Sequence, residues 1–209
     1  NWNTVFDSIY RDGESENSDD PDYSGWMRSY DCSPIPVEEM DEWRESTLGR
    51  IRQLQPRRIY EIGCGSGLLL LALAREVPFY AGSDFSGATI EKLRRRTHRL
   101  GLNSIALFQQ SAEDPFPAFA QPVDTVIINS VAQYFPSISY FIHVIERAIE
   151  HLKDGGQIFL GDLRMLPLLD LQSASIEFFK AEADSRADLL SERIRRRSNS
   201  EEELLFDPA

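Results

Sequence analysis

Apolar positions in this chain keep one period at both ends and a different one in the middle. Residues 2–10 place Trp2, Val5, Phe6 and Ile9 on one helical face. Residues 11–22 are polar, lack that periodicity and read as a loop. Residues 23–36 are rich in aromatics and close on Pro34 and Pro36, which forbid a continuous helix. Helical period returns over 37–54 through Val37, Met40, Trp43, Leu48 and Ile51.

The middle of the chain alternates short apolar runs with amphipathic stretches. Strands are expected at 57–62, 78–84, 103–110, 124–130 and 157–162. Helices are expected at 68–77, at 87–101 with its stop at Gly101, and at 137–156 with its stop at the Gly155–Gly156 pair. The run at 124–130 is the most apolar, as a central parallel strand should be. This alternation predicts an α/β fold, a Rossmann-like parallel sheet with helices on both faces. After Leu163 the pattern is helical again, over 176–184 and 187–205. The expected organisation is an N-terminal helical lid over 1–54, a core over 55–165 and a helical segment over 166–209.

Composition narrows the function. A chain of 209 residues with 42% hydrophobic residues can bury a substantial core. Its net charge is −12, which disfavours nucleic acid as a partner. No apolar stretch approaches the roughly 18 residues of a membrane span, and no signal peptide opens the chain. Cys32 and Cys64 are the only cysteines, so a reducing cytoplasmic setting is expected. The chain starts at Asn1, and a piece cut from a longer polypeptide is expected. Residues 1–45 hold thirteen acids against three arginines, read as a solvated surface with a partner-facing patch as the rival.

The chemistry begins at Glu61–Leu70, EIGCGSGLLL, between the first strand and the first core helix. A dinucleotide fingerprint needs glycine at the first, third and sixth places, and the sixth here is Leu68. Gly63, Gly65 and Gly67 alternate instead, with Glu61 two places ahead. Glycines let a backbone approach the amino-acid part of a ligand. An acid at 61 suits an ammonium and is misplaced beside phosphates. Asp84, closing the second strand, can accept from both hydroxyls of a ribose. Together they point to S-adenosylmethionine; the rival is a tight turn with an unrelated acid. Adenine contacts are expected from Ala112 and Glu113, after the third strand. Asn129–Phe135, NSVAQYF, follows the fourth strand beside the reactive methyl.

At this point the sequence resembles the methyltransferase domain embedded in nonribosomal peptide synthetases. The resemblance is carried by WNTVFDSIY, the lid YSGWMRSYDCSPIPVEEMDEW, YEIGCGSGLLL, GSDFS, VIINSVAQYFPS and GQIFLGDLRMLPLL. It implies a class I methyltransferase fold whose last two strands lie beyond this chain. It implies S-adenosylmethionine held by Tyr30, Glu61, Gly63, Cys64, Gly65, Gly67, Asp84, Phe85, Ala112, Glu113 and Asn129. It implies N-methylation of an aminoacyl thioester on the phosphopantetheine arm of a carrier domain, next to an adenylation domain.

An amine needs little help to lose its proton, whereas a carbon acid would demand a positioned base. Asn129, Ser130, Gln133 and Tyr134 are therefore expected to hold the amine. Trp26 and Phe6 are candidates for closing the site, and Asp162 and Arg164 for meeting the acyl arm, with packing and a surface ion pair as rivals. His98, His143 and His151 lack metal-ligand spacing, Cys64 lacks a base, and Arg193–Arg197 reads as a solvated helix face. The open alternatives are O-, S- or C-methylation of the tethered residue, a docking module with a relict pocket, and a nicotinamide oxidoreductase.

Overall fold

Five runs of branched and aromatic residues form five parallel strands in the computed structural model, which describes residues 20–102, 104–119 and 121–208. The expected helix over 2–10, with Phe6, and most of the 11–22 loop lie outside the described residues. The strands are β1 (Arg58–Ile62), β2 (Phe79–Asp84), β3 (Ile105–Gln109), β4 (Val123–Asn129) and β5 (Leu152–Gly161). Their order is β3-β2-β1-β4-β5, and every pairing is parallel. The chain steps outward from β1 to β3, then restarts at β4 on the other side of β1. The topological switch therefore falls between β1 and β4, where a ligand cleft is expected beyond the strand ends.

Both faces of the central strand β4 are buried, which is why it is mostly apolar, whereas the edge strand β5 is partly exposed. Ile59 and Ile127 face one core with Leu48 and Ile51 of α1 (Val37–Gln53), Leu70 and Leu73 of α2 (Leu70–Leu73), and Ile90 and Leu93 of α3 (Gly87–Arg99). Tyr60, Ile62, Val126 and Ile128 face the other core with Val144 and Ala148 of α4 (Ile138–His151). Ser86 caps α3 by accepting from the Thr89 amide, and Ser137 caps α4 by accepting from Tyr140. Two further helices, α5 (Leu169–Phe179) and α6 (Ala187–Asn199), pack on each other. No helix among the described residues is long and apolar enough to cross a membrane.

Several boundaries differ from the sequence expectation. The helix expected over 68–77 is regular only over Leu70–Leu73. Bonds from Ala72 to Leu69 and from Glu76 to Leu73 tighten its flanks, and Pro78 blocks extension. The helix expected to reach 156 stops at His151, because Leu152 turns extended and pairs with Val123. The glycine pair therefore lies in an irregular stretch of β5, where Gly155 takes φ 72°, rather than at a helix stop. Helix α5 starts at Leu169, seven residues before its expected start at 176, because Pro167 enters the preceding turn where its missing N–H costs nothing. Helix α6 ends at Asn199. Residues 201–206 instead run back along the strand ends, with the Leu204 amide on the Gln133 carbonyl at 2.7 Å and Phe206 on Arg164 at 2.8 Å.

One buried acid ties the amino ends of the central strands together. Asp124, 7% exposed, accepts from the Arg57 and Arg58 amides and from the Thr125 hydroxyl. Burial opposes its charge, but these donors and Lys153 outweigh it and hold the carboxyl below its ordinary range. Asp124→Ala should lower unfolding stability by about 2–4 kcal/mol in urea denaturation at neutral pH, since two backbone donors lose a charged partner. A loss under about 0.5 kcal/mol would show that water replaces the carboxylate there.

Candidate active site

The loops after β1, β2, β3 and β4 enclose two adjoining clefts beyond the carboxyl ends of the sheet. The larger, about 900 Å³ with its open mouth, runs past Gly63, Gly65, Asp84, Phe85, Ala112 and Tyr134. The smaller, about 430 Å³, lies among Trp26, Trp43, Glu61, Cys64 and Asn129. Gly63, Gly65 and Ser130 line both and form the seam between them.

The glycine loop has this shape because side chains do not fit. Gly63, Gly65 and Gly67 take φ of 74°, 49° and 85°. A Cβ at Gly63 would stand 2.4 Å from Val131 Cγ2, and one at Gly67 would stand 2.6 Å from Leu93 Cδ1. The Gly63 and Cys64 amides both donate to the Ser83 carbonyl. Asp84 completes the clamp: its Oδ2 accepts from Gly65 N at 3.0 Å and its Oδ1 from Ser86 N at 2.9 Å.

Glu61 sits 4% exposed at the floor of the smaller cleft. Tyr80 donates to its Oε2 at 2.8 Å, and no cation among the described residues balances it. Burial first, and then the Asp84 charge, push its carboxyl up to about 8 against the Tyr80 bond. A buried acid without a counter-ion, facing a cleft, fits a ligand that brings an ammonium.

The methyltransferase domain family matches residues 60–158, from β1 through most of β5. The chain carries a methyltransferase domain. Chondramide synthase cmdD of Chondromyces crocatus is 38% identical over 208 residues, 99% of this chain and 5% of that protein. Nonribosomal peptide synthetase agiA of Aspergillus flavus is 33% identical over 216 residues, 100% of this chain and 3% of that protein. The chain thus matches only a small part of the length of these relatives. Among solved structures, the N-methyltransferase NodS from Bradyrhizobium japonicum with S-adenosyl-L-homocysteine has a TM-score of 0.55 at 18% identity, covering 92% of this chain and 85% of that one. The methyltransferase domain shares the class I fold of that structure.

The remaining expected residues distribute as follows. Ala112 lines the larger cleft with Ser111, whereas Glu113 uses its amide to donate to the Tyr140 hydroxyl. Gly67 lies behind the cleft, against Leu71 and Leu93. Cys64 is buried, and burial with the nearby Glu61 and Asp84 charges drives its thiol upward, so it stays protonated. Tyr30 stands on α5, its hydroxyl 3.0 Å from Ser175 Oγ and its ring edge-on to Phe179. Trp26 lines the smaller cleft and packs on Trp43, with ring centroids 4.8 Å apart. Asn129 and Ser130 adjoin the seam, joined by a 3.0 Å bond from Asn129 Nδ2 to Ser130 Oγ. Gln133 is buried one residue before Tyr134, which lines the larger cleft.

Arg164 pairs with Glu201 and Glu203 at 2.8 Å each, and Arg193 and Arg197 clamp Glu177, so these arginines are bound within the fold. His151 stacks on Phe116 as a packing group. Sequence reasoning missed Trp43 and Tyr140 as cleft residues. Trp43 reads as part of an amphipathic face, and Tyr140 follows an ordinary helix cap.

Glu61 makes a pH-dependent signature. Between pH 4.5 and about 8 the unfolded chain releases a proton that folded, cofactor-free protein keeps. Its stabilising contribution is complete below the unfolded value and is lost as pH rises through the folded one. Glu61→Gln should flatten the fall in melting temperature from pH 5 to 8, a difference of up to a few kcal/mol. Parallel melting profiles for parent and variant would show that Glu61 ionises normally.

Proposed function

We propose that this domain N-methylates an aminoacyl group held as a thioester on a carrier domain, within a nonribosomal peptide synthetase. The observation that carries this reading is the seam itself. At the seam stands the hydroxyl of Ser130, with the amide of Asn129 beside it in the smaller cleft and the phenol of Tyr134 in the larger one. Such groups orient a nucleophile; they do not strip a proton from carbon. An α-amine has an ordinary pKa near 8 and supplies a reactive fraction at neutral pH unaided. The similar protein agiA is a nonribosomal peptide synthetase, in agreement with a tethered aminoacyl acceptor.

Residues 1–54 serve as lid, 55–165 as cofactor-binding core and 166–209 as a helical flank in this reading. When bound, S-adenosylmethionine supplies a methyl group already activated on a sulfonium. Glu61 faces its ammonium, the Gly63–Gly67 loop its amino-acid backbone and Asp84 its ribose hydroxyls. Ala112 borders its adenine. Alignment and exclusion of water remain for the protein to provide. The Trp26–Trp43 pair closes the amino-acid end, while Asn129, Ser130, Gln133 and Tyr134 orient the amine. The partners are the carrier domain and the adjoining adenylation domain of the same polypeptide.

Intact mass and fragment spectra of the loaded carrier, after incubation with isotope-labelled cofactor, should place the label on the α-nitrogen. Label on oxygen, sulfur or carbon defeats the N-methyl reading. Tyr134→Phe should slow single-turnover transfer by about tenfold while S-adenosylhomocysteine affinity changes by under about threefold, as expected for one lost orienting hydrogen bond. Equal slowing of transfer and loss of affinity would make Tyr134 a cofactor contact instead.

A further inference from the structure

We infer that Asp162 is the anionic contact for the substrate's α-amino group, positioned by Ser130. The inference rests on the N-methyl reading above and assigns the acceptor side of that site.

Asp162 directly follows β5, as Ser130 directly follows β4, and Asn129 pairs with Gly161 in register. Both residues are non-glycine yet left-handed, with φ of 57° at Ser130 and 56° at Asp162. Such backbone conformations cost free energy and gather at functional sites. Here they bring Ser130 Oγ to 2.6 Å from Asp162 Oδ2. The approach also needs a missing side chain, because a Cβ on Gly161 would stand 2.0 Å from Asn129 Oδ1. Asn129 Nδ2 in turn donates to Ser130 Oγ at 3.0 Å. The resulting chain of bonds runs from the seam of the two clefts out to an exposed carboxylate.

Charge around this carboxylate is unbalanced toward the negative. The nearest arginine in sequence, Arg164, is taken by Glu201 and Glu203, and Ser130 is the hydrogen-bond partner of Asp162 among the described residues. The Tyr134 hydroxyl is held above its ordinary value by burial, then by Glu203 and Asp162, against a Gln133 bond and Arg164. A carboxylate in an anionic setting, joined through Ser130 to the methyl-transfer seam, fits an N–H-rich cation.

The transfer makes this placement useful. The nitrogen lone pair becomes a bond to the methyl carbon, the carbon–sulfur pair stays on sulfur, and the positive charge moves from sulfur to nitrogen. The surplus proton on nitrogen then leaves to water. A carboxylate on the nitrogen side is therefore worth more in the transition state than before it. The same carboxylate favours the ammonium over the free amine, so it also sets the pH at which reaction begins.

The test compares the parent with Asp162→Asn in the full polypeptide; asparagine tolerates left-handed φ, so the fold is kept. Calorimetry with S-adenosylhomocysteine is the control, expected to agree within about threefold because Asp162 lies on the acceptor side. With the pantetheine amides of alanine, valine and tyrosine, the parent should bind at least one about tenfold more tightly than its des-amino counterpart, and Asp162→Asn should lose that preference. Single-turnover N-methylation should fall by about 30-fold or more, and its acid limb should move to lower pH. An unchanged amine preference or an unmoved pH limb in a variant that binds S-adenosylhomocysteine normally overturns the role of Asp162. A parent enzyme that methylates oxygen, sulfur or carbon overturns it together with the N-methyl reading, and is recognised before any variant is made.

Discussion

At Gly63 the chain leaves β1 with φ 74°, and the space a Cβ would occupy belongs to Val131. This close approach joins the two strand ends on either side of the topological switch. The rest of the site hangs from it. Because the loop turns there, the Gly65 amide reaches Asp84 on β2, and the Gly63 and Cys64 amides reach Ser83. Because Val131 is held there, the segment after β4 turns away and presents Ser130 to both clefts. A larger residue at 63 would have to part β1 from β4 or abandon the turn.

Electrostatics divides the site into two ends. At one, Glu61 is buried beneath the glycine loop with a neutral tyrosine as partner, a state tolerable only with its proton or with an incoming cation. At the other, Asp162 is exposed and anchored by Ser130, while Arg164 is turned toward the segment after α6. In the proposed reading, a sulfonium cofactor and an amine acceptor carry positive charge to those two ends in turn. An acidic chain whose Arg164, Arg193 and Arg197 are engaged in internal pairs suits such ligands better than phosphates.

The sheet was legible because its signal is local and doubly enforced. Strand β4 is apolar at every position but Asp124, Thr125 and Asn129, and both of its faces are covered. Helix ends were less legible. At Leu152 and Leu169 the outcome depended on a partner strand and on a proline-led turn, neither of which helical periodicity registers. The glycine loop and Asp84 were readable from spacing alone, because backbone approach and a strand-end acid leave a fixed pattern. Trp43, Tyr140 and the Ser130–Asp162 bond were not. Each joins segments distant in sequence, and each residue alone resembles a surface or packing residue.

Residue order by itself determined the parallel α/β class, the Gly63–Gly67 turn and the acids at 61 and 84, since these follow from alternation, chirality and side-chain size over a few neighbouring residues. Tertiary structure decided the rest. It set Tyr30 against α5, brought residues 201–206 across the strand ends and coupled Ser130 to Asp162. Those contacts depend on the sheet order, which brings β4 and β5 side by side although a whole helix separates them along the chain. No local pattern carries that distance, because it is set by how the two cores close over the sheet.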